Sequence, residues 1–182
     1  MGKALAMAEF TTVSTGIRAA DMRVKTAEVN VVEAQTVCPG KYIILIEGAL
    51  SAVRASLDAV RHEFPEKLID SFVLGNPHES IFPAIYGSAE IKDKRALGVL
   101  ETYSAASIIL AADIAAKTSI VSLIELRIAR GMCGKSYMLI TGEVAAVEAA
   151  IEKAKSEISG KTMFLDSSVI ANPDGKIWET IV

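Results

Sequence analysis

The chain has 182 residues, with 19 Lys and Arg against 22 Asp and Glu, two cysteines, and 51% hydrophobic but only 5% aromatic residues. A formal charge of -3 spread evenly along the chain leaves no basic stripe to neutralise a phosphate backbone, which excludes nucleic acid as a partner. A mean hydropathy of +0.37, built from Ala, Val, Ile and Leu, exceeds what a small solitary globule needs, so burial between subunits is expected.

The start, MGKALAMAEF, has one Lys but neither the apolar core nor the small-residue cleavage site of a secretion signal. Ala6 stands where myristoylation requires Ser or Thr. ALAMAEFT, residues 4–11, reads as an apolar strand. It leads through Ser14 or Thr15 as helix caps into a helix with Ile17, Ala20, Val24 and Ala27 on one face. VNVVEAQT and KYIILIE follow as two strands joined by the turn CPGK. After Gly48 a second helix carries Leu50, Val53, Leu57 and Val60 on one face. A last strand, LIDSFVLG, ends at the turn signal Asn76-Pro77, and the tail ESIFPAI closes the segment. The most apolar stretch, residues 103–116, is shorter than the roughly 20 residues that span a bilayer and carries Asp113. The expected location is the cytoplasm, where two cysteines are expected to stay free of a structural disulfide.

The whole pattern is then repeated. Ala4, Leu5, Glu9, Ala19, Ala20, Asp21, Lys25, Thr26, Val29 and Glu33 fall on Ala96, Leu97, Glu101, Ala111, Ala112, Asp113, Lys117, Thr118, Val121 and Glu125. Two extra residues enter the second copy before Gly40-Lys41 meets Gly134-Lys135. Two more enter before IDSFVLGNPHESIFPAI meets LDSSVIANPDGKIWETI. The second helix returns its stripe as Val144, Val147, Ile151 and Ala154. This is a tandem duplication: domains at 1–90 and 96–182, with the polar segment IKDKR, residues 91–95, as the seam. The order β-α-β-β-α-β in each copy predicts an α+β fold of two tandem ferredoxin-like domains, each an antiparallel sheet with both helices on one face. The open sheet face and edges then require cover from the sister domain, the tail or a neighbouring subunit.

The recurring pieces are AL-x-x-x-E, AAD-x-x-x-KT, a Gly-Lys after the central turn, G-x-x-x-x-V-x-A and the N-P turn. They appear as ALAMAE, AADMRVKT, GK, GALSAVRA and VLGNPH, and again as ALGVLE, AADIAAKT, GK, GEVAAVEA and VIANPD. In that order they resemble the bacterial microcompartment (BMC-domain) shell proteins. The resemblance implies flat hexagonal tiles that pack edge to edge with other BMC shell proteins, with a pore on the six-fold axis. For a tandem member it implies a homotrimer as pseudohexamer, since duplicating a domain that closes six-fold leaves exact symmetry at three-fold. Localisation in a microcompartment shell within the cytoplasm is implied too. The turn VCPGK is similar to that of the tandem type found in propanediol-utilisation shells. That likeness implies an iron-sulfur cluster of the four-iron [4Fe-4S] type on the three-fold axis, with Cys38 of each of three chains as its ligands.

Taken alone, one Cys followed by Pro is a weak metal signal, because cluster sites ordinarily show several cysteines at short spacing. Three-fold closure changes the count: three thiolates can hold three corners of a cubane and leave the fourth iron for water, a small ligand or an incoming donor. Pro39 stiffens the turn, Gly40 permits close approach to the axis, and nearby N–H groups are expected to donate to cluster sulfur. Lys41 either offsets the anionic cluster or is a solvated lysine at a strand start. In the twin loop ARGMCGK, the residues Arg130, Gly131, Met132, Cys133 and Gly134 are expected at the pore, Arg130 as an attractor of anions. Cys133 is either a further ligand source or a loop thiol off the axis.

The resemblance also places Lys25 and Lys117 at the tile edge, where the plain reading is a helix-end lysine favoured by the macrodipole. His62 and His78 lack ligand-spaced partners and read as surface or edge residues. No Ser-His-Asp order, phosphate loop or dinucleotide fingerprint is present, so an enzyme is not expected. The implied function is a shell protein whose cluster moves electrons across the wall, with a redox enzyme inside the compartment as a possible partner, or whose cluster is itself conveyed. The rivals are a shell protein with a metabolite pore and no cluster, and a soluble trimeric carrier or regulator.

Overall fold

The structure is a computed structural model and describes residues 4–91, 94–160 and 163–181; part of the polar seam therefore lies outside the described residues. In the first copy β1 (Ala4–Phe10), α1 (Val13–Thr26), β2 (Asn30–Val37), β3 (Lys41–Gly48), α2 (Leu50–Glu63) and β4 (Leu68–Leu74) follow in the expected order, closed by the short helix α3 (Ile81–Ile85). The second copy repeats them as β5 (Ala96–Thr102), α4 (Ala105–Thr118), β6 (Val121–Arg127), β7 (Ser136–Gly142), α5 (Val144–Ser159), β8 (Phe164–Ile170) and α6 (Gly175–Ile181). Each sheet has four antiparallel strands, ordered β2-β3-β1-β4 and β6-β7-β5-β8. This is the ferredoxin-like arrangement, and the segment read as a tail ends each copy as a helix.

Two compact units result: Met1–Pro77 with Ser104–Ser107 and Ala129–Lys135, and His78–Tyr103 with Ile108–Ile128 and Ser136–Val182. The units do not coincide with the repeats, because the start of α4 and the β6–β7 loop pack in the first unit. Its core sets Ala4, Ala6, Ala8 and Phe10 of β1 and Ile44 and Ile46 of β3 against Val53, Leu57 and Val60 of α2. Alternation puts Leu5, Met7 and Glu9 on the opposite face of β1, and they too are fully buried. In the second unit Trp178 of α6 packs on Leu97, Ile124 and Leu139, covering the sheet face.

Two expectations about the helices change. Helix α1 starts at Val13 with Thr12 in the cap position, so Ser14 and Thr15 sit inside its first turn. Its buried face is Gly16, Ala19 and Arg23 rather than the apolar stripe, and Ile17 is 55% exposed. Gly16 explains the rotation: a Cβ there would lie 2.3 Å from Tyr42 Cβ, so the helix approaches β3 along a line only glycine allows. Arg23 reaches inward from that line, donating to the carbonyls of Ile44 (2.9 Å) and Ala6 (3.3 Å). Burial, reinforced by the charge of Arg61, pushes its guanidinium down to about 9. On α2, Val53, Leu57 and Val60 are buried as expected, but Leu50 is exposed.

Candidate functional site

The β2–β3 hairpin pairs Val37 with Lys41 and leaves Cys38, Pro39 and Gly40 as a three-residue turn. A cis peptide links Cys38 to Pro39, and Gly40 has φ of +107°, a value that favours glycine. The Gly40 amide closes the turn onto Val37 O at 2.9 Å, so this N–H is committed to the turn rather than held ready for an outside acceptor. The Cys38 thiol is exposed and free of any disulfide.

The twin loop is built differently. Arg127 pairs with Tyr137 at the foot of the β6–β7 hairpin, and the extra residues are taken up by left-handed backbone at Ala129 (φ 59°), Gly131 (70°), Cys133 (49°) and Gly134 (85°). Part of this loop lies beside the first copy's turn within the first unit. Cys38, Pro39, Gly40, Arg130 and Gly131 together line a groove of about 580 Å³, with Val13, Thr36 and Val37. Met132 is half-buried on the loop, and Cys133 is exposed and free.

Two of the expected pore cations are occupied elsewhere. Lys41 Nζ pairs with Glu9 Oε1 at 2.8 Å and reaches Gly134 O at 3.4 Å, its side chain only 18% exposed. It anchors the turn from beneath and holds the twin loop by a carbonyl. Arg130 forms an ion pair with Glu33, which also accepts from Gln35. At the helix ends, Lys25 pairs with Asp21 at 2.7 Å and Lys117 with Asp113 at 2.6 Å. His62 is exposed, while His78 is half-buried with Nδ1 2.7 Å from Ser80 Oγ.

Sequence reasoning passed over the polar residues that hold this region together. Glu9 is fully buried; its Oε2 accepts the Ala105 amide at 2.8 Å while Oε1 takes Lys41. Burial raises its pKa, and the hydrogen bond and charge of Lys41 oppose that rise. Asp70 accepts hydroxyl hydrogen bonds from Ser104 and Ser107 at the start of α4. The available signal was the recurrence of Glu9 and Asp70 as Glu101 and Asp166 in the second copy. Among the described residues, no cluster of three or more His, Cys, Asp or Glu could hold a metal ion within one chain.

The BMC domain family matches residues 4–77 and 96–173. Over 182 residues the chain is 35% identical to bacterial microcompartment shell protein PduT of Citrobacter freundii, covering 100% of this chain and 99% of that protein. A crystal structure of a microcompartments protein from Desulfitobacterium hafniense matches with a TM-score of 0.85 and 38% identity, over 98% of this chain and 99% of that one. The fused permuted hexameric shell protein of the RMM microcompartment shares the fold, with a TM-score of 0.69 and 21% identity over 88% and 85% of the two chains.

Proposed function

The chain belongs to the BMC-domain family of bacterial microcompartment shell proteins, and from that premise we propose that three copies close into a pseudohexameric tile with an iron-sulfur cluster on its axis. Cys38 of each chain supplies one thiolate. The observation that carries this reading is the free, exposed thiol on a three-residue turn, the place on a hairpin that can approach a symmetry axis most closely. The donor chemistry fits: thiolate is the ordinary protein ligand of iron-sulfur clusters. One chain offers too few ligands among its described residues, so the fit depends on three-fold closure. Three thiolates then fill three corners of a four-iron cluster.

Bound there, the cluster supplies one-electron transfer across the wall or is itself handed inward. The chain's own part is positional. Glu9 and Lys41 fix the turn from below, and the Gly40 amide keeps it closed. Arg130, in the same groove, brings positive charge near the thiol even while paired with Glu33. The protein serves as a wall element in the microcompartment shell within the cytoplasm, without catalysis of its own. It packs against other shell proteins through edges that include Lys25 and Lys117, with a redox enzyme inside the compartment as its electron partner.

Anaerobic purification tests the cluster. The expected result is a brown trimer with a broad visible absorbance and about four irons per three chains, colour and iron both lost in Cys38→Ser while the trimer persists. A colourless, iron-free trimer prepared without air overturns the cluster and leaves a shell protein with a metabolite pore.

A further inference from the structure

The second unit contains a cavity that takes no residue from the Cys38 turn or its twin loop. Its volume is about 530 Å³, within the span of small-molecule sites, about 300–1,000 Å³. Ile124 of β6 and Leu139 of β7, both buried, give it an apolar lining together with Ile91 and Ile181. Trp178, the single tryptophan of the chain, packs against the same Ile124 and Leu139.

A polar set lines the rest. Arg127 donates to Glu125 Oε1 from Nε at 3.0 Å and from Nη2 at 2.6 Å, and the Tyr137 hydroxyl donates to Glu125 Oε2 at 2.7 Å. The guanidinium also lies over the Tyr137 ring, 5.8 Å from its centre. Both carboxylate oxygens are thus engaged, and Arg127 offsets their charge. Burial, followed by the hydrogen bond and charge of Glu125, raises the Tyr137 pKa, so the phenol keeps its proton. Lys94 is the remaining charged group of the lining, exposed and without an ion pair among the described residues. An apolar lining and one positive charge left over are what the cavity offers a ligand.

The fold does not demand this chemistry. Gln35 and Ile43 of the first copy stand where Arg127 and Tyr137 stand in the second, and both pairs are cross-strand partners. Ile43 is fully buried, and Glu33, the twin of Glu125, is held by Gln35 and Arg130 within the first unit. The same hairpin therefore forms with an apolar residue in place of the tyrosine. The arginine and the tyrosine are particular to the second copy.

We propose that this cavity binds a small organic monoanion, a carboxylate carried on a compact apolar body. Lys94 takes the carboxylate, the body lies on Ile124, Leu139 and Ile181, and Glu125, Arg127 and Tyr137 hold the polar wall beside it. An anion fits better than an amine because the charge without an opposite partner in the lining is positive. The site is independent of the cluster, since none of its residues belongs to the first unit.

Phenylacetate is the probe that tests it. Added to the full chain, it is expected to bind at one site per chain by calorimetry and to change Trp178 emission saturably. Phenethyl alcohol and phenethylamine keep the body but remove or reverse the charge, and are expected to bind about tenfold more weakly or worse. Lys94 is exposed and lies outside every helix and strand, so Lys94→Glu is expected to leave far-ultraviolet dichroism unchanged while weakening phenylacetate about tenfold. Lys94→Arg is expected to retain binding, and Cys38→Ser to bind as the wild type does, whatever the fate of the cluster. Phenylacetate that never saturates overturns the site. Equal affinity for the alcohol overturns the choice of an anion, and unchanged affinity in Lys94→Glu overturns the role of Lys94 and the proposal with it.

Discussion

Replacing Lys41 with Met removes the cation that favours the ionised form of Glu9 inside the first unit. Glu9 is fully buried, and Lys41 Nζ lies 2.8 Å from its Oε1. Burial raises the Glu9 pKa above its ordinary 4.5, and the two largest opposing influences are the hydrogen bond and the charge of Lys41. Without them the Ala105 amide is the remaining hydrogen bond that favours the carboxylate. Breaking a buried pair from one side costs about 3–5 kcal/mol. The Lys41 side chain is 18% exposed, which places the expected loss near the lower end, about 3 kcal/mol. With a urea slope of about 1–3 kcal/mol per molar, the unfolding midpoint falls by roughly 1–3 M.

The loss depends on pH with a definite sign. A carboxyl whose folded pKa is raised binds its proton more tightly in the folded chain. Its stabilising contribution is full below the unfolded value and disappears as pH rises through the folded one. Lys41→Met raises the folded value further, so the variant's deficit is smaller at pH 5, close to the ordinary carboxylate value, than at pH 8. Urea unfolding at both pH values and fixed protomer concentration measures it. A deficit under about 1 kcal/mol at pH 8, against the loss expected for a broken buried pair, refutes the anchoring role. An equal deficit at both pH values does so as well.

Gly16→Ala is expected to destabilise the chain, because the new Cβ falls 2.3 Å from Tyr42 Cβ and 2.4 Å from Cγ. An overpacking cost of about 1–3 kcal/mol lowers Tm by roughly 2–12 °C for a chain of this size; calorimetry reads it, and an unchanged Tm refutes the close helix approach. Arg23→Met tests the buried guanidinium, whose displacement from its ordinary value down to about 9 corresponds to about 5 kcal/mol in favour of its neutral form. The unfolded chain binds more protons than the folded one between those values, so wild-type stability relative to Arg23→Met rises as pH climbs above about 9. Parallel stability curves for the two proteins would remove that account.

The sequence alone determined the duplication, the α+β order of each copy, the two hairpin turns and Cys38 as the residue to watch. These are local or periodic properties: alternation, helical spacing, turn chemistry and self-similarity survive in a one-dimensional string. Tertiary structure decided which way the elements face and which charges are already engaged. The stripe of Ile17 and Val24 is as apolar as any core stripe, yet Gly16 lies against Tyr42 and turns it outward. Lys41 and Arg130 look like free pore cations in the string, but fold-dependent proximity pairs them with Glu9 and Glu33. Equal sequence does not guarantee equal environment, and the clearest case is Asp70 against Asp166. Their local backbone hydrogen bonds match, but among the described residues Asp70 meets the start of α4 while Asp166 is exposed. Periodicity fixes a residue's neighbours along the chain, whereas burial and ion pairing depend on segments that folding brings together.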